Sequence, residues 1–107
     1  MIVRINNNLW TIKFVNPTSK DLLRSNKTRT LGVCDNSIKT IFIANNLNDY
    51  MLNKVLSHEL VHVYAFEYNY YMSLETEEIV ADFISLFGHD IVYVADDIMS
   101  KLISNVA

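Results

Sequence analysis

The stretch from Tyr50 to Tyr68, YMLNKVLSHELVHVYAFEY, contains His58-Glu59-Leu60-Val61-His62, an H-E-x-x-H pattern inside a run with neither glycine nor proline. Leu52, Val55, Leu56, Leu60, Val61, Val63, Ala65 and Phe66 recur around it, which predicts a helix that is apolar on most faces and buried in its domain. Side chains four residues apart on a helix stack on one face, so His58 and His62 project together. Two imidazole nitrogens so placed suit one zinc ion. Glu59, one position along, is angled to hold a water there and take its proton. A carboxylate between two imidazoles is costly to bury unpartnered, and a metal ion is a suitable partner.

The segments before this helix read as strands. Ile2 to Ile5 and Trp10 to Val15 are rich in β-formers and flank Asn6-Asn7-Asn8, a turn sequence, with Pro17 closing the hairpin. Leu31 to Cys34 and Lys39 to Ala44 form a second pair around Asp35-Asn36-Ser37, and Thr40-Ile41-Phe42-Ile43 is the clearest strand signal in the chain. Between the pairs, Asp21 to Arg29 reads as a short helical turn or a loop. Strands first and helices second is the order of an α+β domain. The expectation is a small antiparallel sheet of three to four strands followed by three helices, in a single domain spanning residues 1–107.

Composition narrows the function. Half the residues are apolar or aromatic and the formal net charge is −3, which argues against a protein built to grip nucleic acid. The single cysteine, Cys34, rules out an internal disulfide and reads as a small buried hydrophobe in a strand. There is no signal-peptide pattern, and no apolar run is long enough to span a membrane. A soluble protein of the cytoplasm, bacterial or of a bacterial host, is expected.

Downstream of the motif, Asn69 to Ser73 forms a tyrosine-rich connection. Ser73 is positioned to cap a second helix that runs through Phe87 and stops at Gly88, with a third helix from about Ile91 to Ile103. A catalytic metal needs a third protein ligand. The extended pattern H-E-x-x-H-x-x-G-x-x-H is excluded, because Ala65 and Tyr68 stand where glycine and histidine are required. The other source is a glutamate on the next helix. Glu78 is placed as that ligand, with Asp82 one turn later accepting the second ring N–H of a ligand histidine. Acids also gather at helix starts for the dipole alone, and Glu77 is the substitute ligand. Asp82 is the more telling acid, being flanked by Val80, Ala81, Phe83 and Ile84. His89, after Gly88, reads as a cation at a helix C-terminus. Tyr70 or Tyr71, in the connection, is the candidate to offer a hydroxyl to an oxyanion, and the sequence does not choose between them.

His58-Glu59-Leu60-Val61-His62, taken with Glu78-Ile79-Val80-Ala81-Asp82-Phe83, resembles the ImmA/IrrE-type group of gluzincin metallopeptidases, and most of all its short, phage-associated members. The resemblance covers the central third to half of the chain. It implies a zinc-dependent peptidase fold with the motif helix beside a small sheet, Zn²⁺ held by His58, His62 and Glu78, Glu59 as the catalytic base, and a protein or peptide substrate in repressor or mobile-element control. The chain departs from larger relatives in lacking a helix-turn-helix or sensory extension and an identifiable oxyanion donor. A second expectation therefore stands beside the peptidase: a protein-binding module of the same shape in which zinc stabilises the fold.

Overall fold

The computed structural model describes residues 1–106. Strands β1 (Ile2–Ile5), β2 (Asn8–Val15), β3 (Gly32–Asp35) and β4 (Thr40–Ala44) are followed by helices α1 (Asp49–Glu67) and α2 (Leu74–Val106). The sheet order is β1-β2-β4-β3. The pairs β1–β2 and β3–β4 are antiparallel, but β2 and β4 run parallel, from Thr11 opposite Thr40 to Val15 opposite Ala44. The expected antiparallel sheet is therefore a mixed one. Burial explains this: every residue of β4 is buried, so it needs a neighbour on each side. Its hairpin with β3 satisfies one edge, and the connection over residues 16–31 brings β2 to the other.

Local chemistry accounts for the turns. Asn6 and Asn7 both adopt positive φ, 48° and 66°, which the short polar side chain of asparagine tolerates in the tight β1–β2 connection. Asp35 Oδ1 accepts from the Ser37 amide at 3.0 Å and stabilises the turn between β3 and β4. The faces of β4 divide by strict alternation. Ile41 and Ile43 join Trp10, Ile12 and Val63 under α1, while Phe42 and Ala44 pack on Leu22, which a short 3-10 turn at Lys20–Leu22 carries across the opposite face.

Asn48 caps α1 by accepting from the Met51 amide at 2.8 Å. The helix ends where Asn69 takes a left-handed φ of 54° and the Tyr70 amide donates to the Ala65 carbonyl at 2.9 Å. Only Glu59, Val63, Ala65 and Glu67 are buried along it, and Tyr64 and Phe66 are 50% and 46% exposed. The expectation of a helix covered on most sides is therefore corrected. The sheet covers one side and α2 another, and the third is open. Glu67 anchors its end. The Trp10 indole donates to Oε1 at 2.8 Å, Lys39 Nζ lies 2.8 Å from the same oxygen, and the Asn8 amide donates to Oε2 at 2.6 Å. Asn6 donates to the Glu67 carbonyl at 2.8 Å.

The second helix starts as expected, with the Ser73 hydroxyl accepting from the Thr76 amide at 3.1 Å. It does not stop at Gly88. It continues for 33 residues in all, so two helices replace the three anticipated. Glycine costs only about 1 kcal/mol inside a helix and acts as a stop when it turns left-handed. Gly88 keeps a negative φ, and no proline follows it. His89 accordingly sits mid-helix and not at a C-terminus. Residues 91–105 are all exposed. Among the described residues no helix is long and apolar enough to cross a membrane.

The hydrogen bond from Lys39, with those from Trp10 and Asn8, holds the Glu67 carboxyl below the ordinary glutamate range, against the opposing effect of its burial. A carboxyl depressed in the folded state contributes stability above its unfolded value of about 4.3 and loses it as pH falls through the lower folded value. Urea denaturation should therefore show the wild-type midpoint falling across that acid window. Glu67→Gln should flatten this part of the profile and lower the melting temperature at neutral pH.

Candidate metal centre

Helices α1 and α2 run antiparallel, so that His62 meets Glu77 and His58 meets Asp82. Both Nε2 atoms converge on one carboxylate: His58 Nε2 lies 3.2 Å from Glu78 Oε2, and His62 Nε2 lies 3.0 Å from Glu78 Oε1. The Nδ1 atoms point the other way, His58 to Asp82 Oδ1 at 3.1 Å and His62 to Glu77 Oε1 at 2.7 Å. A carboxylate can only accept, so each Nδ1 faces its partner as a donor and each Nε2 is left for another role. One atom each of His58, His62 and Glu78 fall within 4.8 Å of one another. Nitrogen and oxygen ligands held tetrahedrally at about 2.1 Å from an ion stand about 3.4 Å apart. The group could hold a metal ion.

Glu59 has a different setting. It is 4% exposed, and unlike Glu77, Glu78 and Asp82 its carboxylate pairs with neither imidazole. It opens onto two clefts, one shared with His58 and Asp82 and the other with His62, Glu77 and Glu78. Burial pushes its carboxyl above the ordinary glutamate range. Glu78 adds to that, while His62, His58 and Arg24 oppose it. Four carboxylates therefore surround two imidazoles, an excess of negative charge that a divalent cation would offset.

The structure brings His58, Glu59, His62, Glu78 and Asp82 into one region, with differences from the expected arrangement. Asp82 reaches His58, yet its side chain is 69% exposed, and its apolar neighbours Phe83 and Ile84 are themselves exposed. Glu77 meets the outer nitrogen of His62, so it plays for that ring the part Asp82 plays for His58. Tyr71 is 89% exposed with its hydroxyl 3.4 Å from Asn69 Oδ1, and Tyr70 borders an apolar groove. Neither lines a cleft that Glu59 opens onto. Cys34 is half-buried in β3. Burial first, then Glu59, Asp35 and Glu77, push its thiol up to about 12.

Two contributors escape sequence reasoning. Gly32 opens edge strand β3 directly under α1, where an added Cβ would lie 2.6 Å from Val55 Cγ1 and 3.2 Å from Glu59 Cγ. The absence of a side chain is what lets Glu59 face the strand. Arg24 lines both clefts and brings a positive charge among the acids. Gly32 stands alone in its segment and Arg24 lies in a polar loop, so neither carries a pattern that points to the site.

Set against family models, curated proteins and solved structures, the chain matches none of them.

Gly32→Ala should lower the stability to urea by about 1–3 kcal/mol through overpacking against Val55. His58 and His62 are held by Glu77, Glu78 and Asp82 of α2 and not by β3, so the same variant should keep its metal content by elemental analysis while any activity that depends on Glu59 falls.

Proposed function

We propose that this protein is a zinc-dependent peptidase of the gluzincin type. The observation that carries the reading is the contrast among four acids: three pair with the imidazoles, while Glu59 is buried, unpaired and open to the cleft beside them. Two neutral nitrogens and one carboxylate, with both outer ring nitrogens tied to further carboxylates, form a donor set that suits zinc. Bound there, zinc would supply Lewis acidity, polarising a carbonyl and making water a stronger acid.

The chain's own residues do the rest. Asp82 and Glu77 orient His58 and His62 and hold their protons at Nδ1, leaving Nε2 as the ligand atom. Glu78 contributes the anionic donor from α2. Glu59 takes the proton from the attacking water at its carboxylate and delivers it to the leaving amine nitrogen. Its burial suits that task, because a carboxylate with a raised affinity for protons takes one from water more readily. Edge strand β3 leaves one row of main-chain groups unpaired beside Glu59, which an extended peptide could meet.

A second reading, a protein-binding module of the same fold with a structural zinc, draws on one observation: neither Tyr70 nor Tyr71 borders the clefts, so neither expected phenol faces an oxyanion there. Turnover separates the two readings.

Elemental analysis should find one zinc per chain, lost in His58→Ala, His62→Ala and Glu78→Ala. Glu59→Gln should retain the zinc and lose cleavage of an unstructured test protein such as casein by about 100-fold or more. Full metal content in the histidine variants would refute the site. Cleavage absent from the wild type, with binding to a partner unchanged in Glu59→Gln, would favour the binding module.

A further inference from the structure

Val80, Ile84, Phe87, Ile91, Val94 and Ile98 succeed one another on α2 at spacings of four, three, four, three and four. That alternation draws a single apolar seam along one side of a helix, of the kind that packs against another helix. The two ends of the seam have different surroundings. At the start, Val80 and Ile84 form one wall of an apolar groove of about 570 Å³, whose facing wall is Leu60, Val61 and Tyr64 of α1. At the far end α1 has run out, since its first residues Asp49 and Tyr50 border the same cavity as His89 and Tyr93. Ile91, Val94 and Ile98 stand there as a bare ridge, 49%, 46% and 51% exposed. One molecule thus presents an apolar groove and an apolar ridge on the same line.

We propose that two copies of this chain associate through α2, antiparallel about a two-fold axis between Phe87 and Ile91, so that the ridge of each fills the groove of the other. The spacing reads the same in both directions. An antiparallel pair therefore sets Val80 against Ile98 of the second copy, Ile84 against Val94, and Phe87 against Ile91, each contact made twice. This is the self-complementarity that a two-fold interface requires.

The exposed area agrees. Half-exposed side chains of this size leave on the order of 100 Å² each in water, so Tyr64 and the five exposed seam residues offer about 600 Å² per copy. Doubled, that reaches the roughly 1,200 Å² at which specific interfaces begin. Charge disfavours the competing occupant. Helices that lie on anionic membranes border their apolar face with Lys and Arg, whereas this seam is flanked by Asp90 and Asp97, with Lys101 paired to Asp97 at 2.9 Å. Asp90 of each copy falls close to the axis. The association should therefore tighten as salt screens that repulsion. None of this depends on the metal centre or on turnover.

Sedimentation of the full chain at tens of micromolar should give the mass of a dimer, more tightly associated at high salt than at low. Ile98→Glu, and the milder Ile98→Ser, should weaken the dimer at least tenfold while helix content by circular dichroism and metal content stay at wild-type levels. In a Cys34→Ser background, Val80→Cys combined with Ile98→Cys should form a disulfide between copies, and Ile98→Cys alone should not. A wild-type chain that stays monomeric overturns the proposal, whether it remains free or floats with phospholipid vesicles. So does a dimer unaffected at Ile98, or one crosslinked by Ile98→Cys alone, which would mean a parallel pair.

Discussion

The setting of α1 about its own axis depends on Glu67. Its carboxylate takes hydrogen bonds from a buried tryptophan and an asparagine of β2 and from a lysine of the β3–β4 turn, and its carbonyl takes another from the β1–β2 turn. These partners lie up to 61 residues away in sequence. A charge this well enclosed tolerates little rotation, because any turn of the helix would leave it buried without donors. With Glu67 held against the sheet, Val63 and Glu59 one and two turns earlier must face the sheet as well. His58 and His62 are then turned toward α2. The last turn of the helix, just beyond His62, thus decides which side chains face the sheet and which face α2.

The centre that results is an electrostatic arrangement as much as a geometric one. Glu59, Glu77, Glu78 and Asp82 converge on two imidazoles, and the positive charges near them are few. Acids so crowded repel one another in a half-buried cleft. The cost is distributed by giving each outer ring nitrogen one carboxylate and aiming both inner nitrogens at Glu78. Glu59 alone pairs with neither ring, and burial raises its affinity for a proton. Like groups are thus set apart by their surroundings alone.

Helix α2 serves two surfaces at once. Its first half carries Glu77, Glu78 and Asp82 against α1, with Ala81 fully buried between them. Its second half continues the same apolar pattern past the start of α1, where none of the described residues covers it. A bare helix of this length is unfavourable in water unless something packs along it. The groove beside Val80 and the ridge at Ile98 belong to one seam, so assembly and the ligand-bearing turn of the helix share a single rigid element.

His58, Glu59, His62, Glu78 and Asp82 were legible from spacing, because helical periodicity is local and places residues four apart on one face whatever the rest of the fold does. The four strands and the cap at Ser73 were legible for the same reason. What local pattern could not decide was the parallel pairing of β2 with β4, the passage of α2 through Gly88, the pairing of Glu77 with His62, and the parts played by Gly32, Arg24 and Glu67. Each depends on residues far apart in sequence meeting in space: a central strand that needs two neighbours, a glycine whose φ its surroundings determine, a strand that must lack a side chain where a helix passes over it. Short-range geometry wrote the metal motif into the chain, and long-range packing determined which way it faces.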